Sequence, residues 1–529
     1  MNNNHENNKN SDKPVGLFAD KAYEETLDSP NQDTQPLLTE PSTPEPRMTK
    51  KTIASGEPLK LAVVGHTNTG KTSILRTLLR DVYFGEVKNE AATTRHVEQA
   101  QLTDSQTGEV LVALYDTPGL EDASGLMDWL EDNTASRRDG IERLQQFLAS
   151  DIAQGVDHSN NYDYSQEAKV IRQLLASDMA IYVVDAREPV LGKYKDELAI
   201  LSWAAIPVMP VFNFTDSQDA NIDEWQTMLA RRNLHISTRF DSVAFEFEDE
   251  MHLWQNLATM LTHSEMLEQL MQRRTENWAQ LSDEANIIIA DFLINVAAFV
   301  REINDSDDPM PVLAQMQEAV RQSERAMQHN LLNLYKFYDN AVAATPLELQ
   351  AYQQDPFDPE LLKSYGIRTT SGAAAGALLG LGVDAAALGT TLGLGAAIGG
   401  IAGGLLSNTS SIADRITGVK RLYIDPATLT LLATRSIDLL TALRHRGHAA
   451  TDATQLIYKG EKNNIESEQN EDDNLVTPWP THKLPSELKK ARGKPQWSSL
   501  SSGKSEQAQL LRADMAWSLS AQLQSYNHD

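Results

Sequence analysis

Residues 65–72 read Gly-His-Thr-Asn-Thr-Gly-Lys-Thr: a glycine, four residues, then Gly-Lys-Thr. That spacing builds a loop whose backbone N–H groups point inward at a phosphate. Gly65 and Gly70 can take positive φ and let the main chain approach the anion closely. Lys71 is placed to set a point charge on the outer phosphates, and the Thr72 hydroxyl to join a Mg2+ ion. His66, Thr67, Asn68 and Thr69, with Ser73 in the following turn, complete the candidate phosphate cradle. A second group lies in Asp116-Thr117-Pro118-Gly119. A carboxylate at the end of an apolar run suits the water shell of Mg2+, and the N–H of Gly119 can face a γ-phosphate. A third is Asn213-Phe214-Thr215-Asp216.

Such groups need rigid elements to hold them. Leu59–Gly65 (LKLAVVG) is a short apolar run, long enough for a strand buried on both faces. Lys71–Arg80 (KTSILRTLLR) has apolar residues at helical spacing, so strand, loop and helix follow in the order that a phosphate-binding loop requires. Three further apolar runs read as buried strands: VLVALYD before Thr117, MAIYVVDA (Met179–Ala186) and IPVMPVFN ending at Asn213. Strands alternating with helices give an α/β fold built on a mostly parallel, doubly wound sheet.

Phosphate loop, DTPG and a strand-terminal Asn-x-x-Asp, in that order, resemble the translation-factor class of P-loop GTPases, and most of all its Era/MnmE-like branch. Ala91–Glu98 (AATTRHVE) resembles the Thr-Thr-Arg switch of that branch. The resemblance covers residues 58–250. It implies that Thr94, with Thr93 as the adjacent alternative, joins the Mg2+ in the GTP state. It further implies that Asp116 and Gly119 form the second switch, and that Asn213 and Asp216 read guanine. Lys71, Thr94 and Gly119 would then carry catalysis, and Thr72, Thr94 and Asp116 would hold the metal. Asn68 matches the asparagine that holds a K+ ion in cation-stimulated members, so the resemblance implies K+-stimulated hydrolysis; a purely conformational role in a tight turn stands beside it. Three features depart from the pattern. Phe214 replaces the lysine of Asn-Lys-x-Asp, Leu120 replaces the glutamine that orients the attacking water in Ras-like enzymes, and no Ser-Ala-Lys follows the next expected strand, VAFEF (Val243–Phe247). Arg137–Ala153 reads as a helical insert in the second switch region.

The chain has 529 residues, enough for two or three domains. Its formal charge of −28 argues against a general nucleic-acid binder, because such a surface repels the phosphate backbone. No KH-type GxxG loop stands in a basic context. The short basic runs at Lys489-Lys490 and Arg444–Arg446 read as a local patch or a solvated face. With no cysteine, disulfides and thiolate metal sites are excluded, and the chain suits a reducing cytosol. Residues 1–57 are rich in Asn, Pro, Thr and acid, which reads as a disordered leader without a secretory signal.

Beyond Asp249 the pattern turns helical. Val312–Ala343 carries a Met, Leu and Tyr stripe at helical spacing, which reads as a core face or a partner-helix groove. Gly372–Leu406 holds eleven of the 28 glycines in 35 residues, with polar residues only at Asp384, Thr390 and Thr391. Three readings stay open for it: a tightly packed hairpin within the domain, a membrane-inserting or peripheral hairpin, and a constitutive span. Leu422–Ala449 reads as one or two amphipathic helices, 459–475 as a polar linker, and the end of the chain as a short helix. The partition is a leader (1–57), a GTPase domain (58–250), a mainly α-helical region (251–455), and a linker with a helical tail (456–529). This arrangement resembles bacterial GTPases with an uncharacterised C-terminal domain. The leading functional expectation is a cytoplasmic GTP-hydrolysing switch that binds GTP and GDP with Mg2+ and signals to an unidentified protein effector, with 372–406 as a route to a membrane's inner face. Its alternatives are a GTP-binding adaptor with negligible hydrolysis and a dynamin-like membrane assembly protein.

Overall fold

The computed structural model describes residues 57–81, 84, 97–155, 163–304, 306–337, 354–358, 361, 365, 381–384, 419–450, 477–480, 483–501 and 506–526. Thr93, Thr94 and Arg95, the 1–56 part of the leader, the 459–475 linker, and all of 372–406 except Leu381–Asp384 lie outside these residues.

The first half alternates strand and helix: β1 (Leu59–Val64), α1 (Lys71–Leu79), β2 (Glu98–Thr103), β3 (Val110–Asp116), α2 (Ala123–Asn133), α3 (Gly140–Leu148), α4 (Ser165–Ala176), β4 (Met179–Asp185), α5 (Gly192–Ser202), β5 (Val208–Asn213), α6 (Ile222–Ala230) and β6 (Thr238–Arg239). The strands form one sheet in the order β2-β3-β1-β4-β5-β6, parallel except for the β2–β3 hairpin. Every residue of β4 and β5 is buried, the signature of central parallel strands covered by helices on both faces. One face packs on α2, α3, α4, α5 and α6 through residues such as Leu126, Phe147, Ile171, Leu198 and Trp225. The other packs on α1 and on α7 (Phe247–Thr259), where Leu253, Trp254 and Leu257 are fully buried. Register aligns Val63 with Asp116 and Asp185 with Asn213, so the strand ends that carry the chemistry share one edge of the sheet.

Val243–Phe247 is not a strand. The sixth strand is the two-residue β6, after which Asp241 Oδ1 accepts from Val243 N–H (2.9 Å) and Ala244 N–H (3.1 Å). That side-chain turn pulls the backbone out of the sheet. Glu248, Asp249 and Glu250 then favour the positive first turn of α7.

The second half is mainly helical: α8 (Glu265–Ala297), α9 (Met310–Leu334), α10 (Pro426–Arg444), α11 (Ser486–Arg492) and α12 (Glu506–Gln524). At 33 residues α8 is about 50 Å long. Its first turns bury Leu267 and Leu270 against the α/β sheet, and its last turns bury Ile289, Leu293 and Val296 in a separate helical core. The apolar stripe of α9 (Leu313, Met316, Val320, Met327, Leu331) lies in that same core. A strand pattern missed in the sequence also appears. Val300–Asn304 (β7), Leu381–Asp384 (β8) and Val419–Ile424 (β9) form an antiparallel sheet in the order β7-β9-β8. Leu422–Ile424 therefore belongs to a strand, and the helix begins only after Asp425, whose carboxylate caps it by accepting from Ala427 and Thr428 N–H. Among the described residues no helix is long and apolar enough to cross a membrane.

Candidate functional site

The 65–72 loop turns from β1 into α1 at the carboxyl edge of the sheet. Gly65 has φ 146° and Gly70 φ 86°. A Cβ at Gly70 would lie 2.2 Å from Asn213 Nδ2, so only glycine fits there. Asn68 sits exposed at the loop's crest with φ 65°, a left-handed conformation that asparagine tolerates. Thr69 Oγ1 donates to His66 O at 3.0 Å and steadies the turn. Ser73 follows, half-buried, in the first turn of α1.

Lys71 and Asp116 are both buried beneath this loop. The Lys71 ammonium donates to the carbonyls of His66 (2.7 Å) and Gly65 (3.2 Å). Burial pulls its pKa down to about 8, against the opposing pull of Asp116, Glu197 and Glu121. Burial likewise pushes Asp116 up to about 6, opposed by the Thr72 hydrogen bond and by Lys71. Thr72 Oγ1 donates to Asp116 Oδ2 at 2.5 Å, while Asp116 Oδ1 is buried with no partner among the described residues. A carboxylate oxygen left bare in the interior calls for a cation or its water shell. The pair Thr72 and Asp116 thus fits Mg2+ on its own geometry.

Gly119 comes close to the loop. A Cβ there would fall 2.4 Å from Thr67 Oγ1 and 2.6 Å from Thr67 N. The Thr67 hydroxyl is itself buried without a partner among the described residues, beside the N–H that would meet a γ-phosphate. Leu120 is fully buried in the core, and its N–H donates to Gly65 O at 3.2 Å. Its side chain therefore faces away from the cradle.

At the other end of the site Asn213 is entirely buried, and its amide ties three segments together. Nδ2 donates to Thr69 O (3.1 Å), and Oδ1 accepts from the N–H groups of Ser242 (2.9 Å) and Phe214 (3.0 Å). Asp216 is exposed, and its N–H donates to Asp241 Oδ2 at 3.2 Å. Phe214 takes φ 57° and carries the Arg187 guanidinium over its ring at 4.0 Å. Arg187 is in turn gripped bidentately by Asp185 (2.9 and 2.7 Å). The structure brings the loop, Asp116, Gly119, Asn213 and Asp216 to one edge.

Two groups of residues escaped sequence reading. The first is the 241–244 turn, which occupies the place where Ser-Ala-Lys was sought. Its signal was the strand-breaking Asp241-Ser242 pair. The second lies behind His66, whose Nδ1 is 2.6 Å from Glu197 Oε1 and whose Nε2 is 2.8 Å from Lys193 Nζ. With Lys193 donating to Nε2, the Nδ1–H donates to Glu197, which also accepts from Tyr182 Oη at 2.7 Å. No local motif announces a glutamate 131 residues downstream.

Residues 60–214 match the family described as 50S ribosome-binding GTPase, and residues 226–517 match the domain of unknown function DUF3482. The chain belongs to the DUF3482 family. Its amino-terminal part is an Era/MnmE-like P-loop GTPase domain, to which the DUF3482 region is appended. The tRNA modification GTPase MnmE of Mycoplasmoides gallisepticum (strain R(low / passage 15 / clone 2)) is 24% identical over 192 residues, 35% of this chain and 41% of its own length. The DUF3482 chain therefore spans less than half of that relative. Among solved structures, Aquifex aeolicus Era bound to GDP·AlF4− is 14% identical, with 52% of this chain and 89% of that one covered at a TM-score of 0.27. Era in complex with MgGDPNP and a segment of 16S ribosomal RNA is 12% identical, with 53% and 90% covered at a TM-score of 0.28.

Proposed function

We propose that this protein binds GTP and hydrolyses it to GDP and phosphate, as a Mg2+-dependent switch read by its helical region. The observation that carries the reading is the buried Lys71–Asp116–Thr72 group under the 65–72 loop, with the unpartnered Asp116 oxygen beside it. Lys71 would leave the loop carbonyls for the β/γ-phosphates, and the loop N–H groups would take the remaining oxygens. Thr72 and Asp116, joined by Thr94, would hold Mg2+, which when bound neutralises charge on the phosphates. Gly119 would offer its N–H to the γ-phosphate. Asp216 would accept two hydrogen bonds from guanine, which adenine cannot supply, and the Arg187-backed Phe214 ring would stand where the family's lysine stem packs. Asn68, exposed on the crest, would hold K+ beside the phosphates. The G domain of this reading is 58–250, and 251–455 senses its state.

A second reading is favoured by Leu120. Its burial leaves the attacking water without a switch side chain, so GTP would be held and barely hydrolysed. Turnover of GTP against ATP in KCl and in NaCl tests all of this. GTP-selective turnover that Lys71→Ala abolishes supports the switch. Tight GTP binding without turnover in either salt supports the adaptor, and no nucleotide binding removes both.

A further inference from the structure

The α1 helix runs from the phosphate loop to Arg80, whose left-handed φ of 53° ends it. There, where α1 meets α8, α9 and the end of α10, lies a cavity of about 270 Å3. It has a charge unlike the rest of the chain. Arg80, Arg274, Lys336, Arg444 and Arg446 line it, and Glu284 is the acid among its lining residues. Glu250, fully buried beside it, answers two guanidiniums at once, Arg80 at 3.4 Å and Arg274 at 3.3 Å. Five cations thus converge in a protein whose formal charge is −28.

We propose that this cavity is a binding site for a small phosphate-type polyanion, separate from the nucleotide cradle. Guanidinium forks match phosphate oxygens in pairs and are only weakly hydrated, so they serve in a partly buried site where ammonium groups alone would not. Arg80 lines the cavity, and its Nε is buried with no partner among the described residues, so the fold does not use all of the guanidinium's donors. That guanidinium lies over Trp278, 4.5 Å from the ring centroid, and is paired with Glu250, so it is pre-oriented. Trp278 is also stacked on Phe247 at 5.0 Å, so the ring is already engaged by a cation and an aromatic partner. The ligand is therefore the anion itself and not a second nucleotide read by stacking.

The field inside the cavity agrees. Burial pushes His448 down to about 3, and Arg80, Lys336 and Arg446 push it further in the same direction. Tyr335, raised to about 12 by burial, is pulled back by Arg444 and Arg80. Both groups lie where positive potential accumulates.

Calorimetric titration of pyrophosphate into the full chain, at constant ionic strength and with the nucleotide cradle blocked by saturating Mg·GDP, tests the site. One binding event is expected, and it is kept in Lys71→Ala, which disables the cradle. Lys336→Gln changes an exposed lysine and Arg446→Gln a buried arginine; each should weaken binding about tenfold, the loss of one charge-assisted contact. Absence of binding at millimolar pyrophosphate overturns the proposal. So does loss of binding in Lys71→Ala, or undiminished binding in both Lys336→Gln and Arg446→Gln. A chain that binds no GDP yet still takes pyrophosphate in Lys336-dependent fashion would refute the GTPase reading and leave this site standing.

Discussion

The two ends of α1 solve opposite electrostatic problems. At its start one buried cation, Lys71, sits with one buried carboxylate, Asp116, and the helix terminus adds partial positive charge. The loop can therefore exchange its internal lysine–carbonyl bonds for bonds to phosphate at little structural cost. At the far end Arg80 and Arg274 share Glu250, and Arg80 also lies over the Phe245 and Trp278 rings, so these charges tie α1 to α8. Arg274 also donates to Leu78 O, closing an orphan carbonyl of α1. Charge at the first end is organised for exchange, and charge at the second for holding. A side-chain chain joins them: Asn213 contacts the loop and Ser242, Thr77 of α1 donates to Ser242 O at 3.0 Å, and Gly447 N–H donates to Val243 O at 2.8 Å.

This contrast predicts different losses from removing one cation at each end. Arg80→Met leaves the buried Glu250 with Arg274 as its one remaining cation among the described residues and should lower the unfolding free energy by about 3 kcal/mol in urea denaturation. Lys71→Ala should weaken GTP binding about a hundredfold, the loss of charge-assisted bonds to phosphate, while costing the nucleotide-free fold less than Arg80→Met does. If both variants unfold alike, the two ends do not differ as argued.

Legibility in the sequence follows the same divide. The cradle was readable because its parts are local: Gly65, Gly70, Lys71 and Thr72 lie within eight residues, and Asp116 and Asn213 each end an apolar run. Val243–Phe247 reads as a strand in the sequence because Val-Ala-Phe-Glu-Phe alternates like one. The alternation instead sends Phe245 and Phe247 onto Trp278, at 5.8 and 5.0 Å, across the domain junction. The β7-β9-β8 sheet was invisible for a related reason. Its β7–β9 pairs, such as Val300 with Tyr423, are more than a hundred residues apart and its β8–β9 pairs about forty, so no short window holds both partners. In Arg444–Arg446, read as a patch or a solvated face, Arg444 is half-buried and Arg446 buried in the cavity wall while His445 is exposed, and Arg446 bridges to Ala244.

A smaller effect probes the switch itself. Gly119→Ala would drive a Cβ into the backbone and hydroxyl of Thr67, so the second switch must withdraw from the loop. The expected outcome is GTP turnover reduced about tenfold with GDP affinity nearly unchanged, since GDP has no γ-phosphate for Gly119 to meet. Equal losses in GDP and GTP affinity would show instead that the contact shapes the loop in every state.

The gentlest test of the holding end is pH. His448 is half-buried, stacked on Phe337 at 4.3 Å, and its Nε2–H donates to Tyr335 O at 3.0 Å, an environment that favours the neutral form. Its ordinary value of 6.5 falls to about 3 on folding. Between those values the unfolded chain takes up a proton that the folded chain refuses. Stability from this group is therefore complete above pH 6.5 and declines as the pH falls, by about 1.4 kcal/mol per pH unit at most. Urea midpoints measured from pH 7.5 to 5 should fall more steeply for the native chain than for His448→Gln, which cannot titrate. Parallel slopes would mean that His448 is hydrated in solution and that the junction around Arg80 opens more readily than its packing implies.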